Sequence, residues 1–275
     1  MPKEIVVALH RLEGTEEPAF RRFLESNLPL SYRIEGAIAE SNGGLSLWVD
    51  DLARPSICVH RAWARLSPLG VPEAILVHLG DLEALAAEMK EAGEKTRRAP
   101  PEGEGDVMRL NALPREARDA LAAKRRIVRE NGCGLYTLEK ENFTPFAEGP
   151  QIGRIRDDEI GLVSKLAEYG EIEDYISERI LRAPHAAVRI DGELAAYMIV
   201  HDNDSIGMLH TVEKFRNRNL GRYVASALAE MQMARGRPVY CYIIDGNTPS
   251  QRVFGSLGFR RMAEVSWVAF ERGSA

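Results

Sequence analysis

The chain has 275 residues, of which 45% are hydrophobic and 7% aromatic, and its formal net charge at pH 7 is −5. This length and composition can supply the apolar core of one large domain or of two ordinary ones. The negative charge excludes a general electrostatic attraction for nucleic acid, so any phosphate-binding site has to be local.

The cysteines, Cys58, Cys133 and Cys241, are odd in number and widely spaced. This pattern predicts neither a disulfide framework nor a metal site, and it favours a reducing, cytoplasmic location. The first residues lack the apolar core of a signal peptide, and no apolar run reaches the length of about 18 residues that a transmembrane helix needs. We therefore expect a protein with neither a membrane segment nor a bound metal.

The N-terminal half has a pattern of alternating helices and strands. Apolar residues at helical spacing predict a helix over residues 16–28. Alternating apolar and polar residues predict a β-hairpin over residues 32–39 and 45–49. A further strand is expected at residues 74–79, followed by a helix that Asp81 caps.

A polar stretch then interrupts the alternation. Residues 93–106 have neither a hydrophobic period nor apolar content, which predicts a solvated linker. After it, the pattern predicts a helix over residues 114–130 and a short strand at residues 135–138.

A second break, at residues 143–150, marks the predicted domain boundary, because the residues that follow form a self-sufficient set of elements. Residues 1–143 are then an N-terminal α/β domain, and residues 144–275 are a second α/β domain with a mixed sheet. The predicted elements of the second domain are a strand at 152–155, helices at 157–168 and 171–181, strands at 186–190, 194–200 and 205–212, a helix at 220–235, a strand at 239–244, a helix at 249–257 and a strand at 260–270.

The turn before the long helix of the second domain is rich in arginine. It carries Arg216, Arg218 and Arg222, and Gly221 lies at the start of the helix. Backbone N–H groups at a helix start, together with the helix dipole and nearby arginines, form a site for a diphosphate. The alternative is a charged turn that only caps an ordinary helix, because short glycine motifs are weak signals.

This turn and the order of elements resemble the GNAT superfamily of acyl-CoA-dependent N-acyltransferases. The superfamily's cofactor loop reads Arg or Gln, two residues, Gly, one residue, Gly or Ala, and residues 216–221 are similar to it. Asn219 stands where the first glycine is usual, and asparagine is the other residue that tolerates a positive φ. The resemblance implies that coenzyme A binds at Leu209, Thr211, Arg216, Asn217, Arg218, Asn219, Leu220, Gly221 and Arg222.

A second segment, at residues 245–259, is similar to the superfamily's other signature, in which an Asn precedes a short helix that ends in Gly-Phe. Asn247 is placed to cap this helix, and Pro249 suits its first turn. Two signatures at the expected separation are more specific than either alone. The resemblance therefore adds Asn247 to the cofactor-binding residues.

The catalytic residues are harder to assign, because the resemblance places a general-base Glu where this chain has Ser205. Ser205 could order a water, and Asp204 could replace the Glu if a β-bulge shifted the register. His210 is a third candidate base. Strand alternation predicts that His210 shares a face with Ile206, so a packed, non-catalytic histidine is an equal alternative.

The general acid also departs from the superfamily. Many members have a Tyr at the position of Phe254. Tyr240, Cys241 and Tyr242 on the preceding strand could reach the same gap, although a buried aromatic strand is the more common explanation.

Similarity to the glycine N-acyltransferase-like family extends over nearly the whole chain. Residues 23–36 and 162–170 carry it, and it implies transfer of an acyl group to glycine or another small amino acid. A degenerate copy of the same fold is one hypothesis for the N-terminal domain, because its helices and strands alternate in a broadly similar way. Arg182, Arg189 and Arg252 are unranked candidates for binding an acceptor carboxylate.

The leading hypothesis is a cytoplasmic N-acyltransferase that moves an acetyl or other acyl group from coenzyme A to a primary amine by direct attack. The alternative is a catalytically silent acyl-CoA-binding sensor or interaction protein, because Ser205 and Phe254 both depart from the superfamily. A protein acetyltransferase is the third hypothesis. Expected partners are coenzyme A and a small-molecule amine, without nucleic acid or a membrane, and a homodimer is one alternative for the oligomeric state.

Overall fold

The computed structural model describes residues 8–41, 45–94, 105–167 and 173–273. By their contacts, these residues form two compact units. The first takes in the described chain up to Cys133 together with the C-terminal residues from Ala263, and the second comprises Gly134–Met262. The boundary expected between residues 143 and 144 stays a prediction.

The first unit is a mainly antiparallel sheet with helices. Its strands are β1 (His10–Arg11), β2 (Leu47–Val49), β3 (Ile57–Ala62), β4 (Arg65–Gly70), β5 (Val107–Pro114), the first part of β6 (Ile127–Leu138) and the last part of β11 (Arg260–Glu271). Its helices are α1 (Pro18–Ser26), α2 (Tyr32–Glu40), α3 (Pro72–Val77), α4 (Leu79–Glu91) and α5 (Arg115–Ala122). β4 and β5 run parallel, and β11 pairs antiparallel with β5.

Two predictions of strands in this unit are wrong. Residues 32–39 form helix α2, and residues 74–77 belong to helix α3. Ile34 and Ala37 lie three positions apart and are both buried, which is the spacing of one helix face, whereas a strand would place them on opposite faces. His78, rather than Asp81, precedes α4, and the Asp81 carboxylate accepts a hydrogen bond from the His78 ring at 2.8 Å.

The middle of the chain also differs from its prediction. The expected helix over residues 114–130 ends at Ala122, and its last residues, from Ile127, belong to the long strand β6. Strands β3, β4 and β5 were not predicted from the sequence. The expected linker at residues 93–106 lies mostly outside the described residues, as does the connection at residues 41–44 of the predicted hairpin.

The second unit follows the predicted order closely. Apart from the remaining parts of β6 and β11, its elements are α6 (Ile160–Leu166), α7 (Glu173–Arg182), β7 (His185–Ile190), β8 (Glu193–Val200), β9 (Ile206–Thr211), α8 (Leu220–Ala234), β10 (Val239–Ile244) and α9 (Thr248–Ser256). The strand expected at residues 152–155 is reduced to a single bridge between Gly153 and Ala187.

The strands of the second unit belong to two sheets. β7, β8 and β9 form an antiparallel three-stranded sheet, and β10 pairs beside β6 in the other sheet. β9 and β10 are therefore not hydrogen-bonded to each other, although both contact α8. Val224 and Leu228 of α8 share one apolar core cluster with Met198 of β8. Strand β9 thus lies at the edge of its sheet, and the arginine-rich turn follows it directly in sequence.

A buried carboxylate fixes the start of β9. Asp204 is 1% exposed and accepts hydrogen bonds from Gln232 Nε2 at 2.8 Å and from Arg237 Nε at 2.6 Å. Arg235 Nη1 lies 3.5 Å from the same carboxylate. These contacts tie the turn before β9 to the C-terminal end of α8.

Gly258 offers a test of the turn that follows α9. It has a φ of +101°, and an added Cβ would lie 1.9 Å from the backbone oxygen of Asn142. We expect Gly258→Ala to lower the free energy of unfolding by about 2 kcal/mol or more, because both the left-handed backbone and the clash oppose it. Urea denaturation followed by circular dichroism measures the change.

Gly255 supplies the matched control, because it lies in α9 with no atom within 4 Å of an added Cβ. Gly255→Ala should raise the free energy of unfolding by about 0.5 kcal/mol, since alanine favours a helix over glycine. Equal effects of the two substitutions would contradict the described turn.

Asp204 gives a second stability prediction. Asp204→Asn removes the charge that faces two arginines in a buried site, and we expect a loss of about 3 kcal/mol in the free energy of unfolding. Asp245 is the control, because its 3.0 Å pair with Arg261 is solvent-exposed and should contribute less than about 1 kcal/mol. A loss for Asp204→Asn no larger than for Asp245→Asn, in the same denaturation experiment, would show that the carboxylate is not an anchor.

Candidate functional site

The loop between β9 and α8 has an unusual backbone. After a 3₁₀ turn at Glu213–Phe215, Asn217 and Asn219 adopt left-handed conformations, with φ of 62° and 57°. The prediction that Asn219 tolerates a positive φ is confirmed, and the same conformation at Asn217 was not predicted. Asparagine is the residue other than glycine that most readily adopts this conformation. The loop shape is therefore retained without the glycine.

This backbone leaves the start of α8 with unused donors. The N–H group of Tyr223 donates to Asn219 O at 3.0 Å. Within the described part of the chain, the N–H groups of residues 217–222 have no backbone acceptor. Unpaired N–H groups at the positive end of a fifteen-residue helix favour an anion.

The arginines of the loop reinforce this preference. Among the described residues, Arg216, Arg218 and Arg222 make no ion pair with a carboxylate. Arg216 Nε lies 3.4 Å from Thr211 O, and the Arg218 guanidinium lies 5.7 Å from the Phe215 ring centroid. Their positive charge is consequently available to a bound anion.

Gly221 brings α8 close to β9. An added Cβ there would lie 3.2 Å from Thr211 Oγ1 and 3.9 Å from both methyl groups of Leu209. Leu220 is buried and anchors the helix start in the core. The structure thus brings together Leu209, Thr211 and Gly221, three of the predicted cofactor-binding residues.

A β-bulge interrupts β9 between these residues and the strand start. Between the pairs Ile199–Gly207 and Tyr197–His210, β9 has two residues where β8 has one. One of the two, Met208, has a φ of 53°. The bulge reverses the alternation of side chains, so His210 lies on the face of Tyr197 rather than with Ile206. The predicted face of His210 is therefore wrong.

The three predicted catalytic residues differ in their surroundings. The Ser205 hydroxyl donates to Asn203 Oδ1 at 2.7 Å, and Ser205 is 2% exposed. Asp204 is held by the arginines that anchor β9. His210 is only partly buried, and its ring stacks on Tyr197 with centroids 5.7 Å apart. The catalytic assignment of each stays a prediction, but only His210 is neither fully buried nor part of the anchor.

A second histidine on the same face was missed by the sequence analysis. The His201 ring lies against Gly207, where an added Cβ would be 2.4 Å from Nε2. The Tyr175 hydroxyl and His201 Nδ1 are 2.6 Å apart, and the hydroxyl lies 3.4 Å from Asp202 Oδ1. The sequence contains only one hint of this arrangement, the glycine that makes room for the ring.

The segment after β10 matches its prediction in one respect. Asn247 caps α9, because its side-chain oxygen accepts a hydrogen bond from Ser250 N at 3.1 Å. Phe254 is buried against Phe259, with ring centroids 5.0 Å apart, so it belongs to the core.

Two residues of β10 that the sequence analysis considered for the general acid have structural contacts instead. The Tyr240 hydroxyl donates to the backbone oxygen of Asn203. Cys241 is buried among apolar residues, and this burial raises the pKa of its thiol well above the usual range. A thiol that stays protonated is a poor nucleophile.

The candidate ligands for an acceptor carboxylate are not equivalent. Arg189 Nε donates to Glu159 Oε1 at 2.8 Å, and Arg189 Nη2 donates to Arg154 O at 2.9 Å. Burial raises the pKa of Glu159, but the hydrogen bonds from Arg189 and the Arg156 backbone outweigh it and hold that pKa below its ordinary value. Arg189 is thus already paired.

Two broader properties concern the described residues as a whole. No helix among them combines the length and the hydropathy needed to cross a membrane. In the same residues, no group of three or more His, Cys, Asp or Glu side chains is arranged to hold a metal ion.

Comparison with known proteins places this geometry in a wider context. Residues 188–268 match the family model described as FR47-like protein. No curated protein matches the chain. Among solved structures, a Drosophila protein is similar with a TM-score of 0.71 and 16% identity, and the similarity covers 95% of this chain and 98% of that one.

Two other solved structures are described as GNAT proteins. A putative GNAT-family acetyltransferase from Novosphingobium aromaticivorans is 17% identical, with a TM-score of 0.55 and coverage of 90% of this chain and 99% of that one. A tandem GNAT protein from the clavulanic acid biosynthesis pathway is 16% identical, with a TM-score of 0.55 and coverage of 97% and 99%. The predicted fold is confirmed: the chain has the mixed α/β fold of GNAT acetyltransferases.

Proposed function

We propose that the protein is an N-acyltransferase that transfers an acetyl or other acyl group from coenzyme A to a primary amine. The observation that carries this proposal is the loop between β9 and α8, where N–H groups lie beside three arginines and, within the described ranges, the former have no backbone acceptor and the latter no carboxylate partner. Such a site fits the diphosphate of coenzyme A. The match to the FR47-like model and the GNAT fold support the same reaction class.

The edge of β9 is proposed to hold the rest of the acyl-CoA. β9 has a strand partner on one side only among the described strands, so backbone groups on its other side can bind an extended amide chain. Leu209 and Thr211 lie on this strand next to Gly221. We propose that they bind the arm and the thioester carbonyl.

Direct attack by the amine is the proposed route. The buried Cys241 has a raised pKa, which argues against a covalent acyl-enzyme at that thiol. We propose His210 as the base that takes the amine proton, because Ser205 and Asp204 are buried and already hydrogen-bonded.

An amine of glycine or another small amino acid is proposed from the family resemblance. The resemblance and the similarity to a tandem GNAT protein also support the proposal that the first unit is a degenerate copy of the fold.

The proposed setting is the cytoplasm, with a small-molecule amine and coenzyme A as partners. The three cysteines support a reducing location, because all of them are buried and, among the described residues, none of them forms a disulfide bond. Nucleic acid is not a proposed partner, given the net charge of −5. A homodimer stays open.

The direct test of function measures binding and turnover separately. We expect micromolar binding of coenzyme A by calorimetry, and release of free thiol when acetyl-CoA is mixed with one of a panel of amino acids and polyamines. Binding without turnover for any acyl chain or acceptor would favour the acyl-CoA-binding sensor, which Phe254 and Ser205 also suggest. Turnover only with protein substrates would favour the protein acetyltransferase.

Asn219 supplies the control that links binding to the loop. Asn219→Gly should keep the affinity for coenzyme A, because glycine adopts the left-handed conformation freely. Asn219→Ala should weaken binding about 5-fold or more, since alanine in that conformation costs about 1 kcal/mol. Equal affinities of the two variants would show that this loop does not bind the ligand.

His210 gives a test of the proposed base. We expect His210→Gln to lower kcat about 100-fold while leaving the affinity for coenzyme A unchanged, because a base acts on the amine and not on the cofactor. His10→Gln is the control, since His10 lies exposed on β1. Full turnover in His210→Gln would return the assignment to Ser205 or Asp204.

A further inference from the structure

Arg222 is held at the start of α8, and no carboxylate of the described residues neutralises it. Its guanidinium carbon lies 4.5 Å from the Phe146 ring centroid, and its Nη2 donates to Ser256 O at 3.2 Å. The Nε atom is buried and has no hydrogen-bond partner among the described residues. A guanidinium has five N–H donors, so most of its capacity is left for a ligand.

The backbone on which Phe146 lies is firmly attached. Phe146 N donates to Ser226 Oγ of α8 at 2.9 Å, and Thr144 N donates to Leu257 O at 3.0 Å. Gly149 lies against Tyr223, because an added Cβ would be 2.3 Å from the Tyr223 ring. The segment 143–150 therefore runs along α8. Its hydrogen bonds to α8 and to the end of α9 fix the position of Phe146.

An aromatic partner has a specific consequence for an anion-binding arginine. A carboxylate would orient the guanidinium equally well but would cancel its charge. The ring attracts the cation through its quadrupole and covers one face of the guanidinium plane. The N–H edge stays available for two parallel hydrogen bonds to a phosphate.

We propose that Phe146 is a positioning residue for cofactor binding, which orients Arg222 toward a phosphate group of coenzyme A. The inference rests on the proposed function, because it takes coenzyme A as the ligand. It extends the site beyond the loop and the strand to Phe146, which lies in the segment before α6 and belongs to neither sequence motif.

The test compares phosphate-bearing and phosphate-free ligands in the full-length protein. Phe146→Leu keeps an apolar side chain but removes the ring, and we expect the calorimetric Kd for coenzyme A to rise about 5-fold. Phe146→Tyr should restore the original affinity. The Kd for pantetheine, which contains no phosphate, should not change in either variant. Dephospho-CoA, which lacks only the 3′-phosphate, then shows whether Arg222 faces the diphosphate or the 3′-phosphate.

Phe143→Leu is the matched control, because Phe143 lies in the same segment and packs on the same core. It should leave the Kd for coenzyme A unchanged. Arg222→Gln alone should raise that Kd about 10-fold, and adding Phe146→Leu to it should cause no further loss.

Three outcomes would overturn the inference. These are an unchanged Kd in Phe146→Leu, an equal loss of affinity for coenzyme A and pantetheine, and additive losses in the double variant. Failure of the proposed function is recognised separately, because the unsubstituted protein would then not bind coenzyme A at all.

Discussion

The close approach of α8 to β9 at Gly221 is the constraint on which the candidate site depends. An added Cβ at Gly221 would lie 3.2 Å from Thr211 Oγ1, so even a methyl group would crowd the threonine, and the chain has to pass from the strand end at Thr211 to the helix start at Leu220 within this close approach. The connecting loop can satisfy this only by turning sharply, which it does with left-handed backbone at Asn217 and Asn219. The same sharp turn exposes the N–H groups at the helix start. The close approach of the helix and the exposure of these N–H groups thus have one structural cause.

Arginines at the two ends of α8 serve opposite purposes. Near the C-terminal end, Arg235 and Arg237 form ion pairs with the buried Asp204, which stabilise the turn before β9. At the N-terminal end, Arg216 and Arg222 have no carboxylate partner among the described residues. A charge count over the whole chain hides this difference, because a net value of −5 includes both kinds. The location of the counter-charge, not the number of arginines, shows which positive charges are left available to an anion.

The sequence was most informative where one residue type answers one local demand. The left-handed conformation at Asn219 and the cap at Asn247 followed from known preferences of asparagine, and both are confirmed. The error at α2 has a general cause, since a short apolar run such as that around Ile34 fits a strand and a buried helix equally. The β9 bulge was unpredictable in position, because it depends on pairing with β8. Phe146 and His201 were missed for a related reason: their partners are distant in sequence.

The two asparagines of the loop also affect how such sites can be recognised in other chains. A pattern that demands glycine at the position of Asn219 would pass over this loop, although its backbone has the required torsion angle. The shape of such a loop is set by its main chain, and the main chain responds to φ rather than to the absence of a side chain. A search expressed as permitted torsion angles, with asparagine accepted beside glycine, would retrieve loops that a search by letters omits.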